Sequence, residues 1–129
     1  MKKLLVAVLA LALLAGASTA LAASVYRGQT SQHYPVSLLV ANGRVKFDLT
    51  YKLHCQHGSP TFNAATRPMN LRGQAFSYTF SEYMLTNTIS GVFKHGTVSG
   101  TLNIHGPLTE HVDYGYCGTG KVSFRAKRS

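Results

Sequence analysis

The chain has 129 residues, 13 Lys and Arg against four Asp and Glu, six His, and two Cys. That length holds one domain. Four acids leave few carboxylates for acid–base chemistry, and a cationic surplus favours anionic partners: acidic polysaccharides, teichoic acids, lipid headgroups or nucleic acid.

The first element is a secretion signal. Lys2-Lys3 forms a short positive region, residues 4–15 are an unbroken apolar run, and Ala20-Leu21-Ala22 is an A-x-A cleavage signature. The run falls short of the roughly 20 apolar residues that span a bilayer, and small residues follow it. Residues 1–22 therefore read as a removed signal peptide and residues 23–129 as a single secreted β domain, with no membrane span after cleavage. Loss of Lys2 and Lys3 leaves eleven cations against four acids, a net +7. Export and an even cysteine count favour a Cys55–Cys117 disulfide over two free thiols.

Nothing after residue 22 carries a helical apolar stripe, whereas turn dipeptides recur about every ten residues, the pattern of an antiparallel all-β domain. Residues 35–41 form a strand whose Pro suits the first position. Asn42-Gly43 fits both central positions of a type I′ turn. A long alternation follows. Val45, Phe47, Leu49, Tyr51, Leu53 and Cys55 point to one face, and Arg44, Lys46, Asp48, Thr50, Lys52 and His54 to the other. At ~3.3 Å per residue such a strand would reach about 40 Å, so a twist, bend or bulge is expected. Residues 61–68 read as loop or a short edge strand. Residues 75–80 place Phe76, Tyr78 and Phe80 on one face. Residues 86–94 and 97–105 are further strands, the latter ended by Gly106-Pro107. A short strand near residues 114–117 and a last one over 121–126 complete a small antiparallel β-sandwich or partly closed barrel of about seven to nine strands.

Taken together, Tyr26-x-Gly28-x-Thr30, Pro35-Val36-Ser37-Leu38, Gly43-x-Val45-x-Phe47 and Cys55-x-x-Gly58 form an opening pattern. Gly73-x-x-Phe76, Ser90-Gly91-x-Phe93, Gly100-Thr101-Leu102 and Cys117-Gly118-Thr119-Gly120-x-Val122-x-Phe124-x-Ala126 follow it. The whole resembles an uncharacterised family of small secreted bacterial proteins of the actinobacterial type. Phe124 stands where that pattern has Trp. The resemblance implies a β domain with a Cys–Cys link and nothing catalytic.

Candidate chemistry is sparse. His54-x-x-His57 and the group His105, Glu110, His111 and Asp113 bring together ligand-type side chains, but no zinc spacing fits them, and no metal or cofactor is assigned. No nucleophile elbow is present. Among the four acids, Glu82 with Glu110 or Asp113 are the candidates for a glycosidase-like pair, and nothing in the sequence positions them. The better lead is basic: Arg44, Lys46 and Lys52 share one outer strand face, and Lys121, Arg125 and Lys127 another, with the tail of residues 125–128 adding to it. A solvated face explains the same residues. Tyr114 and Tyr116 are candidate contact aromatics. Nucleic acid is disfavoured because Phe47, Tyr51 and Phe124 alternate inward instead of interleaving with the cations. The expectation is an exported, non-enzymatic module that binds an anionic envelope or extracellular polymer, or another extracellular protein. The alternatives are a secreted hydrolase or metal-dependent enzyme, and a secreted inhibitor presenting residues 56–60.

Overall fold

The computed structural model describes residues 23–129; the signal segment read at residues 1–22 lies outside them. Eleven strands alternate with short turns: β1 Ser24–Thr30, β2 Pro35–Ala41, β3 Arg44–Lys52, β4 His54–Cys55, β5 Thr61–Ala65, β6 Met69–Asn70, β7 Ala75–Glu82, β8 Leu85–Lys94, β9 Thr97–Leu108, β10 Gly115–Gly118 and β11 Val122–Arg128. All belong to one antiparallel sheet. Its hydrogen-bonded path runs β4-β10-β9-β11-β1-β2-β3-β5, with β7 and β8 joined through β9 and β6 on β3. The strand count exceeds the expected seven to nine because brief pairings such as β4 and β6 carry no period-two pattern long enough to read.

Alternation decides which face is buried. Val45, Phe47, Leu49 and Tyr51 of β3 all point inward, as do Val122, Phe124 and Ala126 of β11. The two strands are separated by β1 and β2, about 14 Å in a flat sheet. Yet the Phe47 and Phe124 rings meet at 5.2 Å, and Tyr26 of β1 meets Phe93 of β8 at 5.0 Å. The sheet therefore curls until its inner faces touch. Two glycines permit this. Gly91 and Gly100 sit opposite each other on β8 and β9. A Cβ at Gly91 would come within 2.6 Å of the Phe76 ring, and one at Gly100 within 2.5 Å of the Phe124 ring. The rings occupy the slots that the missing side chains leave.

The long alternation breaks at Leu53, as its length predicted. The Gln32 side chain brackets the break: the Lys52 N–H donates to Gln32 Oε1 at 3.0 Å, and Gln32 Nε2 donates to the Lys52 carbonyl at 3.0 Å. The Leu53 N–H turns to the Pro60 carbonyl. β4 then pairs with β10, where Cys55 and Cys117 are directly opposite and bonded to each other. Cys117 is buried and Cys55 half-buried.

Two expectations change, and a third, the open choice at residues 61–68, is decided. Gly106-Pro107 does not end β9, which runs on to Leu108 by pairing with β10, Pro107 lying opposite Tyr116. β8 pairs only as far as His105, so Pro107 sits where one side of the strand is unpaired and a missing N–H costs nothing. Residues 61–68 hold one edge strand, β5. Of Phe76, Tyr78 and Phe80, only Phe76 is fully buried. β7 pairs with β8 alone, and its far half leaves Tyr78 and Phe80 packed on each other at 5.7 Å.

Candidate functional site

Two regions gather chemistry, at different parts of the sheet. The first is the outer face. Residues directly opposite each other in an antiparallel ladder project on the same side, with Cβ atoms about 5 Å apart. The registers give one continuous row across five strands: Lys94, Thr97, Lys127, Arg27 and Ser37. Arg125 lies two positions along β11 from Lys127, between Ser99 and Gln29. Arg44 and Lys46 follow on β3, beside Leu39, around a shallow depression of about 410 Å³. From β8 to β3 the cations span about 24 Å of sheet. Asp48 is the acid that enters the row, opposite Ser37, and Asn63 Nδ2 donates to it at 3.0 Å.

The basic residues singled out by alternation thus divide. Arg44, Lys46, Arg125 and Lys127 fall in the patch. Lys52 and Lys121 lie towards the other end of the same outer face, about 20 Å along their strands from Lys46 and Lys127. Arg128 leaves the face altogether. Its guanidinium donates to Tyr26 Oη at 3.2 and 3.3 Å and lies 5.7 Å from that ring. Arg27 and Lys94, which complete the patch, escaped the sequence reading. Each is a single cation at the end or middle of a strand with no Lys or Arg beside it in sequence, and only the register sets Arg27 against Lys127 and Lys94 in the same row beyond Thr97.

The second region is a cleft of about 450 Å³ at one end of the sheet. Its floor is Tyr51, Leu85, Asn87 and Leu108. Its wall carries the rings of Phe62, Tyr83 and Tyr114, and Val112. Glu82 and Glu110, both exposed, stand at its margin with His111. The carboxylates that the sequence could not position are thereby brought to one cavity.

Two polar groups on the floor have work left to do. Asn87 is 3% exposed; its Nδ2 donates to the Leu85 carbonyl at 3.2 Å. Tyr51 is 7% exposed. Neither Asn87 Oδ1 nor Tyr51 Oη forms a hydrogen bond with another described residue. No side-chain oxygen or nitrogen is both sealed from solvent and without a partner among the described residues, so both oxygens are reached from the cleft. Burial, then the charge of Glu82, then Tyr83, push the Tyr51 phenol from the usual 10 up to about 12. The phenol stays protonated, and the field of Glu82 reaches the floor.

The rim is strained. β7 and β8 join through a two-residue turn whose central residues are Tyr83 at φ 53° and Met84 at φ 67°. Asn42-Gly43 and His95-Gly96 make the same left-handed turn with residues suited to it. Two bulky side chains in that region cost on the order of 1 kcal/mol each. They end up 62% and 61% exposed.

The remaining candidates separate. Tyr114 lines the cleft, while Tyr116 is 56% exposed and its hydroxyl meets His105 Nδ1 at 3.3 Å. Asp113 accepts from the Gly115 N–H. No group of three His, Cys, Asp or Glu side chains stands together as a metal site among the described residues.

No family model, curated protein or solved structure matches this chain. The functional reading therefore rests on the two regions themselves. The disulfide, and the absence of any helix long and apolar enough to cross a membrane among the described residues, are compatible with an extracellular protein.

Proposed function

We propose that this protein is a secreted, non-enzymatic β module, the kind of protein its resemblance implies, that binds an anionic polymer across the outer face of β8, β9, β11, β1 and β3. We read the fold as a partly closed barrel: β4 continues β3, and its pairing with β10 returns the sheet to β9.

The observation that carries the reading is the Arg27–Lys127 pair. Like charges directly opposite on a sheet destabilise it. Here Arg125 stands two positions along β11, Lys94 lies two strands from Lys127 beyond Thr97, and Asp48 lies two strands from Arg27 on the other side. Such an arrangement gains when a ligand supplies the anions. A polymer with charges spaced along an extended backbone matches a row about 24 Å long better than a single small anion does. Stacking with nucleobases has little support, because the nearby aromatics Tyr26, Phe47 and Phe124 are buried.

The test separates the patch from net charge. The double substitution Arg27→Gln, Lys127→Gln is compared with Lys52→Gln, Lys121→Gln, which removes the same charge from the far end. On immobilised teichoic acid at low salt, the first variant should bind about fivefold more weakly than the second, and wild-type retention should fall as NaCl rises. Equal losses in the two variants, or retention insensitive to salt, would reject the patch as a binding site.

A further inference from the structure

We propose that the cleft between the β7–β8 turn and the segment after β9 is a second binding site, for a small organic cation with an aromatic or apolar body. It contains none of the cations of the outer face and meets that face only through Asn63, which lines the cleft and donates to Asp48.

The case begins with the unspent hydrogen-bonding capacity of the floor. Asn87 Oδ1 and Tyr51 Oη are set among Leu85 and Leu108, with no hydrogen-bond partner among the described residues. Buried polar groups are ordinarily satisfied by protein or ordered water. A ligand that reaches the floor is asked chiefly for donors. Asn87 Oδ1 and the two carboxylates only accept; the phenol can do either.

The charge distribution then narrows the class. The chain carries four acids, and two of them, Glu82 and Glu110, line this cavity. A protein with this surplus of cations has thus made one concave surface acidic. The negative field of Glu82 is felt as deep as Tyr51. An anionic ligand is repelled here, and a neutral one leaves the carboxylates unused.

The rings supply the body of the site. Phe62, Tyr83 and Tyr114 line the same space, and ammonium groups are attracted to aromatic faces. The strained turn fits this role. Asn-Gly at residues 83–84 would be the relaxed choice, yet the turn keeps a Tyr whose ring reaches the cleft. Backbone strain retained at a rim is consistent with a binding surface. A volume of about 450 Å³ is in the range of pockets for small molecules and too small for a folded partner.

The experiment uses the mature, disulfide-bonded protein and three probes of one shape: 2-phenylethylamine, 2-phenylethanol and phenylacetate. Titration calorimetry and side-chain NMR shifts of Asn87 are read for each. The amine should bind tightest and phenylacetate least, with the amine shifting the Asn87 side-chain amide. Glu82→Gln and Glu110→Gln replace exposed side chains, so folding is retained and is checked by circular dichroism. Each should weaken the amine about threefold to fivefold, the scale of a solvent-exposed ion pair, while leaving the alcohol unchanged. Three results overturn the proposal: phenylacetate binding as well as the amine, amine affinity indifferent to both substitutions, or no shift at Asn87 with any probe. Hydrolysis of a glycoside by the wild type but not by these variants would replace it with the carboxylate-pair reading.

Discussion

Tyr51 shows how one side chain can serve the core and the site together. Its ring is the fourth inward residue of β3, legible from the alternation, and packs towards Phe62 at 6.1 Å. Its hydroxyl faces the cleft, which the sequence did not disclose, because period-two reading assigns a face but not what lies beyond its end. The raised phenol pKa has a consequence for stability. The unfolded chain loses this proton near pH 10, the folded one near pH 12. The folded state therefore holds the proton more tightly, and its advantage is intact below about pH 10 and lost between about pH 10 and 12. Allowing for solvent screening at the cleft, the loss is on the order of 1–2 kcal/mol. Urea denaturation at about pH 9 and pH 11.5 should show the wild type losing that much more than Tyr51→Phe. Parallel losses would mean that the phenol is as well solvated as in the unfolded chain.

Among the elements, the three two-residue hairpins differ in what the sequence said of them. Asn42-Gly43 was legible outright, since both residues tolerate positive φ and the flanking strands alternate. His95-Gly96 was visible as a break. Tyr83-Met84 was invisible: neither residue favours a left-handed backbone, and the pairing of Ala75–Glu82 with residues 85–92 imposes it. Likewise the outward faces of β3 and β11 were legible, but their separation by β1 and β2, and hence the place of Arg27 between them, depends on pairing order, which alternation does not encode. The illegible turn makes a prediction. Replacing Tyr83-Met84 with Asn-Gly should raise stability by about 1–2 kcal/mol in urea and at the same time weaken amine binding, because the Tyr83 ring is lost. A destabilised variant would show that the exposed pair is held by packing and not at a cost to the turn.

For the molecule as a whole, the disulfide divides the two regions. It fastens β4 to β10, and β10 follows directly on the segment that brings Glu110, Val112 and Tyr114 to the cleft. β4 follows the end of β3 that carries Tyr51. The cations lie on β8, β11, β1 and β3, and the ladders that join β8, β9, β11 and β1 to one another include neither cysteine; Cys117 pairs with Gly106, near the other end of β9 from Thr97. The closed loop spans 62 residues, so opening it frees about 4 kcal/mol of chain entropy in the unfolded state. A domain of this size has little more than that to spare. The variant Cys55→Ser, Cys117→Ser should thus be read at low temperature, where circular dichroism confirms that the sheet persists. Under those conditions phenylethylamine binding should fall severalfold, because the segment after β9 is no longer pinned opposite Tyr51. The salt at which teichoic acid releases the protein should stay where it was. If both affinities fell together while the sheet remained folded, the outer row would depend on the curl that the disulfide maintains, and the two surfaces would form one coupled device.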